Sequence, residues 1–219
     1  MTRSPRIHGI VLAGAYNWGE TRFERFLRGP LVPIAQRPLI SYVLSWMGEA
    51  GVEDATICAN GASRAVRACL ADEAALPLRL GYYEDPSPRG PAGCVRDAGL
   101  LSEADTLVVA EGTLVPSADV AELLEAHRSS RAALTIVVDQ ERRKRGLSAE
   151  RPPSPSGLYV FDRRVLETIP ATGFQDIKES LIPRLHRAGE RVFTHAVAGV
   201  FLGEHRNAVL HHSNERRRK

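Results

Sequence analysis

A three-layer α/β domain is the fold class that this sequence predicts, on three observations. Short apolar runs alternate with amphipathic stretches along nearly the whole chain, the pattern of strands and helices taken in turn. At 219 residues, 43% hydrophobic and 25% charged, the chain can bury one substantial core and falls within the size of a single domain. No internal repeat breaks the sequence into units, so residues 1–219 read as one domain.

The elements follow in order. Ile10 to Leu12, Ala55 to Cys58, Leu78 to Tyr82, Leu107 to Val109 and Leu134 to Val138 are short apolar runs of strand length. Between them, Ile40 to Ala50, Ser63 to Ala71, Ser117 to His127 and Ile177 to Arg187 carry helical spacing, with Ser117 and Asp176 as expected N-caps. The pattern fails over 139–156, where a basic run passes into Pro152, Pro153, Ser154, Pro155 and Ser156; this reads as a surface linker that interrupts the domain without dividing it. Residues 213–219 form a basic tail.

The net charge of +3 is mild and comes largely from Arg142, Arg143, Lys144 and Arg145 together with Arg216, Arg217, Arg218 and Lys219. Elsewhere charge is nearly balanced, so no specific nucleic-acid binding is expected. Cys58, Cys69 and Cys94 are odd in number, fit no metal-ligand spacing and sit among apolar residues, as buried thiols of a reducing compartment do. With no apolar stretch of membrane-spanning length, the expectation is a cytoplasmic protein without a membrane partner. His186, His195, His205, His211 and His212 are scattered and form neither a zinc pattern nor a nucleophile with its base.

A sheet of this class binds ligands outside the carboxyl ends of its strands, which directs attention to Ala13–Pro33 and to the loops after Tyr82 and Val109. The first loop reads Gly9-Ile-Val-Leu-Ala-Gly-Ala15, Gly19-Glu-Thr-Arg22, Pro30-Leu-Val-Pro-Ile34 and Arg37-Pro-Leu-Ile40, followed by Ser41-Tyr42-Val43-Leu44. Later come Tyr83-Glu-Asp-Pro86, Gly90-Pro-Ala-Gly-Cys-Val-Arg96, Leu107-Val-Val-Ala-Glu-Gly112, Gly157-Leu-Tyr-Val-Phe161 and Leu181-Ile-Pro-Arg-Leu185. In order and spacing these segments resemble the sugar-phosphate nucleotidyltransferases (nucleotide-sugar pyrophosphorylases), whose patterns run LAAGxGTRLxPLT, PKPLLPVxGKPLI and EDxPLGTAGAVRxA. The resemblance extends from Ile7 to about Asn214. It implies a Rossmann-like nucleotidyltransferase fold, a mostly parallel mixed sheet with helices on both faces.

The resemblance also implies a chemistry. In the family a sugar-1-phosphate oxygen attacks the α-phosphorus of a nucleoside triphosphate and releases pyrophosphate. Negative charge gathers on non-bridging oxygens, so a site needs backbone N–H groups, a cation on the phosphates and usually Mg²⁺ on one or two carboxylates. On this chain the resemblance places the nucleotide beside Leu12, Ala13, Gly14 and Gly19 of the glycine loop, and the base beside Glu84, Gly90, Ala92 and Gly93. Arg22 stands where the family's phosphate-facing arginine lies.

Departures cluster on the phosphate side. Tyr16, Asn17 and Trp18 stand where the family has a tight glycine turn, with Phe23 and Phe26 nearby. Gly29 occupies the place of the lysine of the PKP motif, leaving Arg28 as the adjacent cation. Gly112-Thr113 replaces a Gly-Asp pair, with Glu111 two residues earlier, and Gly203 replaces a second aspartate beside Glu204. The Glu-Lys-Pro motif that holds the sugar phosphate has no counterpart.

Three readings stay open. One is a catalytically degenerate pseudoenzyme that binds a nucleotide or nucleotide sugar and acts by regulation. Another is an active nucleotidyltransferase in which Arg22 and Arg28 are catalytic and Glu111 and Glu204 hold Mg²⁺. The third is a structural subunit that forms a homo-oligomer or pairs with an active family member.

Overall fold

The computed structural model describes residues 6–14, 29–61, 63–71, 76–85, 87–139 and 155–197. In chain order the elements are β1 (Ile7–Leu12), a 3-10 turn (Gly29–Leu31), β2 (Pro33–Ile34), β3 (Arg37–Pro38), α1 (Leu39–Glu49), β4 (Asp54–Cys58), α2 (Ser63–Ala71), β5 (Arg79–Tyr83) and α3 (Gly90–Leu100). Then follow β6 (Thr106–Glu111), α4 (Val120–Ser130), β7 (Leu134–Asp139), β8 (Pro155–Asp162), α5 (Val165–Thr168), a π-helical turn (Ile177–Leu181), α6 (Ile182–Arg187) and β9 (Val192–Val197).

Seven strands form one sheet in the order β5-β4-β1-β6-β8-β7-β9. β1 pairs in parallel with β4 and β6, β4 with β5, and β7 with β9, whereas β8 runs antiparallel to both β6 and β7. The sheet is therefore mixed and mostly parallel, as expected. Its inner strands are buried on both faces, which is why β1 and β6 read as continuous apolar runs rather than alternating ones.

Successive side chains of a strand point to opposite faces, and the two cores divide accordingly. Val11, Val108, Ala110 and Val160 meet α1, α2 and α4 through Val43, Met47, Val66 and Leu123. Ile10, Leu12, Val109, Tyr159 and Phe161 meet α3, α5 and the turn before α6 through Ala92, Val95, Leu166 and Ile177. Helices on both faces complete the three layers. Among the described residues no helix is long and apolar enough to cross a membrane.

Three local expectations are corrected. The helix expected from Ser117 begins at Val120, because the Asp119 carboxylate accepts the N–H groups of Ala121 and Glu122 at 2.8 and 3.1 Å and so caps it two residues later. The linker yields its end to structure: Pro155 and Ser156 open β8, and the buried Ser156 hydroxyl donates to Val137 O at 2.8 Å. β9 was not anticipated; as an outer strand it leaves Thr194 and Ala196 exposed and has only a weak apolar pattern. By contrast Asp176 is an N-cap, accepting from Lys178 and Glu179 at 2.6 and 2.8 Å, although the turn that it starts is π-helical before α6 takes over.

The topology locates a crevice. The connection after β1 leads to β4 on one side, while that after β6 leads to β7 on the other, so the carboxyl ends of β1 and β6 are the point of divergence where ligands of open α/β sheets bind.

Candidate functional site

At that point the backbone of β1 and β6 is closely tied. Leu12 and Glu111 are register partners, Gly112 N–H donates to Leu12 O at 2.9 Å, and Ala13 N–H donates to Cys58 O at 2.8 Å. Leu12 and Ala13 are buried and their side chains belong to the core, so Gly14, half-buried, is where the strand reaches the crevice.

The 3-10 turn lies on this floor. A Cβ on Gly112 would stand 3.3 Å from Cβ of Pro30, so the turn packs directly against the end of β6. Gly29 and Pro30 are buried, and Thr113 is only 5% exposed. The fold thus brings Gly29 and Gly112-Thr113 to one place, and at both positions it puts uncharged groups out of water.

Glu111 is the carboxylate of this floor. Gly157, at φ +88°, lies beneath it, and a Cβ there would be 2.7 Å from the Glu111 carboxyl carbon. Burial pushes the Glu111 carboxyl above the ordinary glutamate range, and the positive charge of Lys178 partly offsets this. For Mg²⁺, which takes oxygen ligands from one or two carboxylates with substrate phosphates, the described residues supply one carboxylate, Glu111, and the neutral hydroxyl of Thr113. Among them no group of three or more His, Cys, Asp or Glu side chains could hold a metal ion. The described donors do not fit a Mg²⁺ centre.

Beyond the carboxyl end of β5, where the resemblance puts the base beside Gly90, Ala92 and Gly93, these small residues face other parts of the chain. Gly90, at φ +73°, has its open side closed: a Cβ would lie 2.6 Å from Gln175 O and 3.0 Å from the Phe174 ring. Ala92 is buried and its N–H donates to Gln175 O at 3.0 Å. At Gly93 the space is taken by the side chain of Arg89, whose Cβ lies 2.7 Å from where a Cβ of residue 93 would stand. The small residues admit another part of the chain, the strap Pro170–Gln175. Glu84 remains exposed at the start of this loop.

Arg89 fastens the strap. It is 5% exposed, and its guanidinium donates to Gly173 O at 2.8 Å, Pro170 O at 2.9 Å and Asp97 Oδ2 at 3.0 Å. Its backbone is held as well, its N–H donating to Asp85 Oδ2 at 2.7 Å and its carbonyl accepting Gln175 N–H at 2.7 Å. Asp97 also accepts from Tyr83 and Arg96 at 3.1 and 2.8 Å, and these donors hold its carboxyl below the usual range against the opposing effect of burial. Arg89 stands beside a recognisable motif, yet nothing in its spacing shows that it turns inward. Phe174 and Gln175 lie some eighty positions downstream, and only the fold brings them here.

Arg22, Arg28, Gly19 and Glu204 lie outside the described residues, as do Tyr16, Asn17, Trp18, Phe23 and Phe26. Cys58 and Cys94 are buried and Cys69 half-buried; burial pushes the Cys58 thiol up and, with the Asp85 charge beside it, pushes Cys94 up to about 12. A cavity of about 890 Å³ opens at the other, amino-terminal end of the strands, between His8, Thr56, Gly81 and Leu101. Its charged rim is internally paired, with Arg79 bound to both Asp54 oxygens at 2.6 and 2.8 Å.

Comparison with known proteins agrees with this architecture. A mannose-1-phosphate guanylyltransferase of Mycobacterium tuberculosis (strain ATCC 25618 / H37Rv) is 28% identical over an alignment of 204 residues that covers 84% of this chain. The chain spans 57% of that relative's length. In fold, the chain matches a structure described as a glucose-1-phosphate thymidylyltransferase from Bacillus anthracis in complex with a sucrose, with a TM-score of 0.77 at 16% identity over 97% of this chain and 96% of that one. HddC from Yersinia pseudotuberculosis, in complex with GMP-PN, matches with a TM-score of 0.76 at 14% identity over 95% of this chain and 98% of the other. The family model described as nucleotidyl transferase matches residues 25–147, more than half of the chain and the stretch that builds Gly29 through β7, and to that family the chain belongs.

Proposed function

We propose that this nucleotidyltransferase-family protein of the nucleotide-sugar pyrophosphorylase kind is catalytically degenerate and binds a nucleotide or nucleotide sugar as a regulatory protein. One observation carries the reading: Pro30 packs on Gly112, and their chain neighbours Gly29 and Thr113, at the positions where the family resemblance expects a lysine and a metal-binding aspartate, are buried and uncharged. Phosphoryl transfer is catalysed by placed charge, and losing one preorganised group commonly lowers a rate by about 10² to 10³. Away from this point, the half-buried Gly14 at the end of β1 and the exposed Glu84 on the loop before α3 support the binding half of the reading.

The deciding assay incubates the full chain with several nucleoside triphosphates, sugar-1-phosphates and Mg²⁺ and follows pyrophosphate release beside an active relative. No release is expected across the panel, while nucleotides or nucleotide sugars raise the melting temperature modestly and without need of Mg²⁺. Release well above background overturns the reading.

Glu111 favours a second reading. A desolvated carboxylate at the end of β6, within electrostatic range of Lys178, is a group from which a displaced active site could be built. Pyrophosphate release abolished by Glu111→Gln would identify that alternative.

A further inference from the structure

We infer that Phe174 is the face on which the base of a bound nucleotide stacks, and that Arg89 is the positioning residue that sets it there. The inference rests on the nucleotide-binding reading above and names which surface receives the base.

Position comes first. α3 leaves the carboxyl end of β5 after a short loop, so its amino end lies on the ligand-binding side of the sheet. The strap reaches that end from the far side of the sequence and closes over it. Gln175 O takes the N–H of Ala92, and the Phe174 ring lies against the Cα of Gly90. A flat ligand arriving at the start of α3 therefore cannot rest on the glycines. It meets Phe174.

Exposure and rigidity come next. Phe174 is 64% exposed, one of three large apolar side chains left so open among the described residues; the other two, Leu100 and Leu101, end α3 at its opposite tip. Its backbone is nevertheless firmly held: Arg89 binds the carbonyls of Pro170 and Gly173, its own carbonyl binds Gln175 N–H, and Asp176 caps the turn that follows. An aromatic side chain on a backbone already held in place, and still open to water, has less freedom to lose when a planar ligand covers it than one on a free loop. Every nucleobase has such a planar face, and base-on-aromatic stacking needs no particular edge. The exposed Glu84 carboxylate, on the loop entering α3, is an acceptor for base N–H groups.

Calorimetric titration of the full chain with each of the common nucleoside monophosphates tests this, using Phe174→Ala, Phe174→Leu and Phe174→Trp. Because the side chain is exposed, the variants keep the wild-type melting temperature. Phe174→Ala and Phe174→Leu raise the Kd of the preferred nucleotide by roughly tenfold, and Phe174→Trp restores it. Unchanged affinity in Phe174→Ala, or rescue by leucine as complete as by tryptophan, overturns the stacking role and leaves nucleotide binding standing. A wild-type chain that binds no nucleotide overturns both.

Discussion

The carboxyl group of Glu111 fills the space that a side chain at residue 157 would occupy, with 2.7 Å between its carboxyl carbon and the Cβ position of Gly157. β6 and β8 run antiparallel here, Ala110 opposite Leu158, so the contact spans two neighbouring strands at the floor of the crevice. Gly157→Ala meets two obstacles, a left-handed backbone at φ +88° and the displaced carboxylate. It is expected to lower stability by about 1–3 kcal/mol in urea denaturation. Adding Glu111→Ala recovers the steric part and leaves the backbone strain, so the two substitutions are not additive. Strict additivity would show that Glu111 does not lie where it is placed here.

Burial also makes Glu111 a pH sensor of stability. Its folded-state pKa is raised above the unfolded value, so the group favours the folded state most in acid, below the ordinary glutamate range, and that contribution is lost as pH rises through the folded value. Glu111→Gln carries no charge to bury. The variant is expected to match the wild type near pH 4 and to exceed it in stability at pH 8, measured by denaturant midpoints across that range. A difference that stays constant with pH would mean that the nearby Lys178 charge cancels the effect of burial.

These two expectations depend on contacts that the sequence could not display, and the reason is physical. Strand and helix periodicity is local, so β1, β4, β5, β6 and β7 and helices α1 and α2 were legible to within a few residues. The Gly-rich and Glu-Asp segments were legible too, because they occupy contiguous positions. Arg89, Phe174 and Gln175 were not, since a hydrogen bond between residues 89 and 173 leaves no trace in either local pattern. The sequence offers the glycines of α3 as a surface for a ligand; in the fold the smallness of Gly90 admits the strap and that of Gly93 admits Arg89. β9 escaped notice because an outer strand need bury only part of each face.

Arg89 should be the most sensitive position of that region. Its replacement by leucine, the residue of the resembling motif, leaves the carbonyls of Pro170 and Gly173 without donors and removes one partner from Asp97. A loss of about 3 kcal/mol is expected, as when one member of a buried ion pair is removed. Amide exchange at Gln175 and Ala92 should accelerate more than in the strands, because both N–H groups are protected by the strap. Arg89→Lys should retain only part of the effect, a single ammonium being unable to serve three separated acceptors. Equal protection in wild type and Arg89→Leu would show that the strap holds without its latch.

Thr113→Asp tests whether lost charge explains the proposed degeneracy. The site is 5% exposed and two residues past Glu111, so an added carboxylate is poorly solvated and near another in the chain; without metal the variant should melt below the wild type. With Mg²⁺ and a nucleoside triphosphate the two carboxylates and the phosphates together make a ligand set that the described residues of the wild type lack. Binding at about ten times its Kd stabilises by about 1.4 kcal/mol, which corresponds to a rise of roughly 3–6 °C for a domain of this size. The rise should require Mg²⁺ in Thr113→Asp and be absent from the wild type under the same conditions. A wild-type chain that shows the same Mg²⁺-dependent shift already holds the metal through its own residues, and the degenerate reading then gives way to the active one built on Glu111.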